Sequence, residues 1–197
     1  MRDLIMRAAE IVLSGGVVAY PTDTYYGLAC DPRSPLAVAR LFALKERDGR
    51  RASPLIGASL AQVSAAVELN AAARRLAAAF WPGPLSLVLP ARSAICPAVL
   101  GGLETAAVRV PADATARALA EAVGFCITAT SANRSGAAPV TRVSELDQHL
   151  GDQLDFVLDG GTAPGGAAST IVDVTSAEPT LVRPGLIAWG RVLESLR

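Results

Sequence analysis

Short apolar runs alternate with stretches of helical spacing along almost the whole chain. The runs fall at 17–20, 54–57, 85–90, 106–110, 126–129, 155–158, 169–174 and 180–183, and their length and Val/Leu/Ile content predict strands. Helical patterns at 4–13, 60–67, 70–80, 113–123, 142–150 and 187–195 fall between many of them. The first carries Leu4, Ile5, Ala8, Ile11 and Val12 on one face and stops at Gly15 and Gly16. A further helix is predicted from Ser34 as cap and Pro35 as first residue, with Val38, Leu41 and Phe42 buried and its end near Lys45 to Arg47. This order predicts an α/β fold with helices packed on a sheet, and the close succession of the last three strands predicts mixed pairing. No internal repeat or linker is visible, so residues 1–197 are expected to form one domain.

Composition narrows the functional classes. With 51% apolar and 18% charged residues the chain is no disordered segment. Eighteen Lys and Arg balance eighteen Asp and Glu, which excludes coating nucleic acid by bulk charge and leaves room for a local basic pocket. The opening MRDLIMRAAE lacks the apolar core of a signal peptide, and the uncharged run between Arg75 and Arg92 is broken by Pro82, Gly83 and Pro84, so a cytoplasmic protein without a membrane segment is expected. Cys30, Cys96 and Cys126 are odd in number and widely spaced, and His149 is the only histidine. Neither a disulfide framework nor a resident metal site is expected, and the chemistry must run without a histidine base. Phosphate-loop, dinucleotide and hydrolase-elbow motifs are absent.

Polar residues gather where strands end, the usual place for ligands in α/β sheets. Pro21-Thr22-Asp23-Thr24-Tyr25-Tyr26-Gly27 is either a ligand loop or a strand exit whose polar groups satisfy their own backbone. Lys45, Arg47, Arg50 and Arg51 place four cations within seven residues, suited to a helix end or to a polyphosphate. Arg109 stands on a strand opposite Val108 and Val110, on a solvent face or as a carboxylate clamp. Thr130-Ser131-Ala132-Asn133-Arg134-Ser135-Gly136 reads equally as a plain turn or a binding turn. The last group joins Asp159-Gly160-Gly161, Ser169-Thr170 and Arg183-Pro184-Gly185, where glycines permit close backbone approach.

In this order the clusters resemble the YrdC-like family of threonylcarbamoyl-adenylate synthases over nearly the whole chain. The likeness rests on Pro21-Thr22-Asp23-Thr24 with Tyr26-Gly27-Leu28, Lys45-x-Arg47, Pro54-Leu55, Trp81-Pro82-Gly83-Pro84, Val108-Arg109-Val110, Ser131-Ala132-Asn133 with Ser135-Gly136, Ser169-Thr170 and Arg183-x-Gly185. It implies a twisted mixed sheet with flanking helices around a concave, positively lined cavity. It further implies that Lys45 and Arg47 are catalytic, that Thr22, Arg109 and Ser169 hold L-threonine, and that Lys45, Thr105, Ser131, Asn133 and Arg183 surround ATP. The implied reaction joins L-threonine, bicarbonate and ATP into threonylcarbamoyl-AMP and pyrophosphate, with Mg²⁺ carried by the nucleotide. The product serves threonylcarbamoyladenosine modification beside the tRNA anticodon, with handover to a tRNA threonylcarbamoyltransferase complex and possible direct tRNA binding. Two departures stand out: Asp48, where many relatives carry Pro, and Ala58, near where some carry a threonine-contacting His. The chain is expected to stand alone, without the extra carboxy-terminal domain of the longer synthases. Two alternatives are a non-catalytic module binding tRNA or double-stranded RNA and an enzyme using carbamoyl phosphate. Salt-sensitive RNA binding without pyrophosphate release marks the first.

Overall fold

The computed structural model describes residues 1–46 and 51–197. The chain runs α1 (Arg2–Leu13), β1 (Val18–Tyr20), β2 (Gly27–Ala29), α2 (Pro35–Leu44), β3 (Leu55–Ile56), α3 (Leu60–Ala66), α4 (Ala71–Phe80), β4 (Leu85–Pro90) and β5 (Thr105–Arg109). It continues through α5 (Ala114–Val123), β6 (Ile127–Thr128), β7 (Thr130–Ser131), α6 (Gln148–Gly151), β8 (Phe156–Val157), β9 (Thr170–Asp173), β10 (Thr180–Arg183) and α7 (Trp189–Glu194). Ser34 caps α2 by accepting from the Ala37 amide, and Pro35 occupies the first turn, as the sequence predicts.

The strands form two mixed sheets rather than one: a four-stranded sheet ordered β7-β2-β1-β8 and a six-stranded sheet ordered β10-β9-β4-β5-β3-β6. Strand β2, absent from the sequence reading, pairs antiparallel with β1, which pairs parallel with β8. It is three residues long and follows a polar loop, so it has too few positions to show an alternation. The predicted helix at 142–150 is also corrected. A 3₁₀ turn covers Val143–Glu145, and α6 begins only at Gln148. The Glu145 carboxylate accepts from the Thr141 and Arg142 amides at 2.7 and 3.2 Å, closing a local turn, and Leu146 is extended.

Two apolar clusters explain why several strands read as continuous apolar runs. Val17 and Ala19 enter the larger cluster with α2, β4 and β5, whereas Val18 and Tyr20 enter the smaller one with α1 and α5. Leu55 and Ile56 divide in the same way. Strands buried on both faces lose polar alternation. Among the described residues no helix is long and apolar enough to cross a membrane.

Asn70 joins helix to sheet. Its Oδ1 accepts from the Ala73 amide at 2.8 Å to cap α4, while its Nδ2 donates to the Val174 carbonyl at 2.6 Å just beyond β9. Asn70→Ala is expected to lower unfolding free energy by about 1–2 kcal/mol, measured by urea denaturation. An unchanged midpoint would show that solvent replaces both bonds.

Candidate functional site

Alternation along the six-stranded sheet creates the site. Leu85, Leu87, Leu89, Ala106, Val108, Thr170 and Val172 are buried. Positions of the opposite parity, Ser86, Arg109 and Ile171, line a cavity of about 510 Å³, with Ser86 registered against Ile171 and Ile56 against Arg109. The loop after β1, the end of α2, the turn after β7, the segment before β9 and the end of β10 complete its walls.

Lys45 follows the last residue of α2, where a cation complements the helix dipole, yet its ammonium is turned elsewhere. It donates to the carbonyls of Ser131 and Asn133, and the Ser135 amide donates to the Lys45 carbonyl at 3.0 Å. Two motifs more than eighty residues apart are thereby interlocked. Asn133 Nδ2 donates to the Arg134 and Ala137 carbonyls, which curls the turn, while its Oδ1 is buried without a hydrogen-bond partner among the described residues.

Arg109 is held from one side. Its Nη2 lies 3.0 Å from Asp23 Oδ1 and 3.5 Å from the hydroxyls of Thr22 and Thr24. Its Nη1 is buried and has no hydrogen-bond partner among the described residues. The guanidinium as a whole lines the cavity, where it is suited to an incoming anion.

Arg183 is clipped to the segment that precedes β9. Nε and Nη2 donate to the Ser169 carbonyl at 3.2 and 2.7 Å, and Nη2 donates to Ser169 Oγ at 3.1 Å. Ser169 Oγ also shares a 3.0 Å hydrogen bond with Ser86 Oγ. Burial first, and then repulsion from Arg109, lowers the Arg183 pKa below that of a free guanidinium. Close packing at Gly185 permits this clip, because a Cβ there would lie 2.3 Å from the Ala168 carbonyl oxygen and 2.5 Å from the Thr170 nitrogen.

Thr22 lines the cavity, but its hydroxyl serves the loop. It donates to the Tyr25 carbonyl at 2.7 Å and accepts from the Thr24 amide at 3.1 Å. With its single hydrogen committed, Thr22 shapes the wall. Thr105 is not among the lining residues. It shares a sheet face with Arg109 but sits four residues along β5, roughly 13 Å away at the usual strand rise. Arg47, Asp48 and Arg50 lie outside the described residues. Lys45, Arg109, Ser131, Asn133, Ser169 and Arg183 line the cavity together. Thr24 and Tyr25 of the strand-exit loop join them, as does Ser86, which was not singled out from the sequence. A lone serine inside the apolar run Leu85-Ser86-Leu87 was the available signal for one of these.

Among the described lining residues Lys45, Arg51, Arg109 and Arg183 are cations and none is a carboxylate. That imbalance belongs to a chain whose formal charge is zero. A cavity of this kind concentrates anions. Its described lining residues offer no carboxylate set for a protein-held divalent cation, and a magnesium ion fits them as a partner of a bound phosphate. The remaining nucleophile candidates lie elsewhere: burial pushes the thiols of Cys30 and Cys126 up to about 12, and His149 is exposed on α6.

Residues 10–185 match the model of the family described as "Telomere recombination", which groups Sua5, YciO and YrdC, and the chain belongs to that family. It is 40% identical to the threonylcarbamoyl-AMP synthase of Idiomarina loihiensis over 165 residues, 82% of this chain and 88% of that protein. It is 38% identical over 167 residues to the protein of the same name from Nitrosococcus oceani, covering 84% and 90% of the two chains. Pyrococcus abyssi Sua5 in complex with L-threonine superposes with a TM-score of 0.91 at 34% identity over 99% of this chain, which spans 58% of that longer one. Escherichia coli YciO superposes with a TM-score of 0.86 at 29% identity, covering 95% and 92%. The expected YrdC-like mixed α/β fold is therefore the observed one.

Gly185→Ala should push the Arg183 segment away from Ser169 while leaving both core clusters intact. Inorganic pyrophosphate, used as a probe of cavity charge in calorimetry, is expected to bind the variant at least tenfold more weakly than the parent. Equal affinity would show that the clip does not shape the anion site.

Proposed function

We infer that the chain is a threonylcarbamoyl-AMP synthase, which makes threonylcarbamoyl-AMP and pyrophosphate from L-threonine, bicarbonate and ATP. The carrying observation is the cavity whose described lining residues include four cations and no carboxylate, with the Arg109 guanidinium fixed among them. Kinship with proteins of that name over most of the chain supports the same reading. Residues 1–197 act as one domain in this proposal.

The geometry suits the two halves of the reaction. The cavity-lining guanidinium of Arg109 meets the amino acid's carboxylate, with Ser169 alongside, while Thr22 and Thr24 keep the loop beneath it in shape. Lys45, Arg51 and Arg183 neutralise the triphosphate, with Ser131 and Asn133 in the same wall, and Arg47 is assigned to the same task by its position in the Lys-x-Arg motif. Magnesium enters as part of the nucleotide substrate. The threonine amine attacks the bicarbonate carbon and the hydroxyl leaves with an amine proton as water, which gives a carbamate; a carbamate oxygen then bonds to the α-phosphorus as the bond from that phosphorus to pyrophosphate breaks. The attacking group already carries negative charge, so alignment and charge neutralisation are the main demands on the protein. No histidine is needed. The adenylate then passes to a downstream tRNA-modifying transferase in the cytoplasm, and tRNA is the final acceptor.

Concentration of the cations inside a cavity, rather than along a surface stripe, favours a small anionic ligand over an RNA backbone. A pyrophosphate-release assay with each component omitted in turn tests the reading. Release is expected only with threonine, bicarbonate and ATP together; release without threonine, or supported by carbamoyl phosphate in place of bicarbonate, would contradict it. Arg183→Ala is expected to cut turnover by about 100-fold or more. Arg109→Ala is expected to raise the threonine KM roughly 10- to 100-fold with a smaller effect on ATP. Near-parental kinetics in both variants would place the reaction elsewhere.

A further inference from the structure

Asp23 occupies a place that the reaction scheme leaves without a role. It sits between the strand-end loop and the start of α5, with its side chain only 9% exposed. Oδ2 accepts from the Ala112 amide at 3.0 Å, which anchors the carboxylate to the segment joining β5 to α5. Oδ1 lies 3.0 Å from Arg109 Nη2 and has no hydrogen-bond partner, so the pair is joined by charge rather than by a linear hydrogen bond. The Arg109 side chain is 8% exposed, and its other supports are two hydroxyls at the 3.5 Å limit of hydrogen bonding. Asp23 is therefore its one close anionic partner among the described residues.

The consequence is directional. Drawing Nη2 toward Asp23 fixes the plane of a cavity-lining guanidinium that would otherwise choose among rotamers. The same carboxylate offsets one of two neighbouring cations, Arg109 and Arg183, whose mutual repulsion is felt in the lowered Arg183 pKa. We propose that Asp23 is a positioning residue that acts through Arg109: it holds the guanidinium in the orientation that meets the carboxylate of the amino-acid substrate and so sets the affinity for that substrate, without touching it. The proposal rests on the synthase reading, which places the amino acid at Arg109.

Asp23→Asn tests it, because the amide oxygen can still accept from Ala112 while the charge opposite Arg109 is lost. In titration calorimetry the variant is expected to bind L-threonine at least tenfold more weakly and a non-hydrolysable ATP analogue within threefold of the parent. In an Arg109→Lys background, Asp23→Asn should change threonine affinity by less than threefold, since the group it positions is gone. Threonine affinity within twofold of the parent, or equal losses for both ligands in both backgrounds, would overturn the proposal. If Asp23→Asn does not fold, Asp23→Glu is read the same way; it keeps the charge and misplaces it, so threonine binding should again fall tenfold while ATP-analogue binding holds. A parental protein that binds no threonine would instead defeat the synthase reading itself, a result separable from intact threonine binding that ignores position 23.

Discussion

Like charges repel, and a cavity lined by Lys45, Arg51, Arg109 and Arg183 persists only because the fold holds individual cations in place. The Lys45 ammonium is held by two carbonyls of the Ser131–Asn133 turn, Arg109 by Asp23, and Arg183 by the carbonyl and hydroxyl of Ser169. Each restraint comes from a part of the chain remote in sequence from the cation, except the Arg183 clip, which spans fourteen residues. The packing of the two sheets and their helices thus has an electrostatic product. It delivers fixed positive charge to one concavity in a chain with none to spare.

Fixed charge of this kind suits a reaction with little covalent work for the protein. A carbamate displacing pyrophosphate needs its anions aligned and neutralised, and donors that are already oriented do so without reorganising during the step. The lining matches that demand. Arg109 stands beside the hydroxyls of Thr22 and Thr24, suited to an amino acid, while Lys45 and Arg51 come from the end of α2 and the stretch before β3. The scheme carries no burden for the thiols or for His149, which burial and exposure respectively keep away from it.

Much of this was legible in the residues. Ser34 and Pro35 announce α2, and all the apolar runs predicted to be strands contain one. The split into two sheets was not legible, because β2 is three residues long and β7 two, and pairing depends on which remote strands lie side by side. The helix expected at 142–150 failed for a local reason: Glu145 bonds back to Thr141 and Arg142 and ends a turn before a full helix can form. At the site, resemblance supplied the convergence of Lys45, Ser131, Asn133, Ser169 and Arg183 that no local pattern could. It named Thr105, which lies outside the cavity lining, and it passed over Ser86, whose polarity inside an apolar strand has meaning only once the sheet face is known. Asp23 was likewise visible as a strand-exit carboxylate, and its bond to Arg109 could not be foreseen across 86 positions of chain.

A crystal structure of the protein with L-threonine and a non-hydrolysable ATP analogue addresses the shared cavity most directly. The account predicts the threonine carboxylate within hydrogen-bond distance of the Arg109 guanidinium and the phosphates against Lys45 and Arg183, with the amine facing the α-phosphate. A threonine bound away from Arg109, or phosphates outside the cavity, would contradict it.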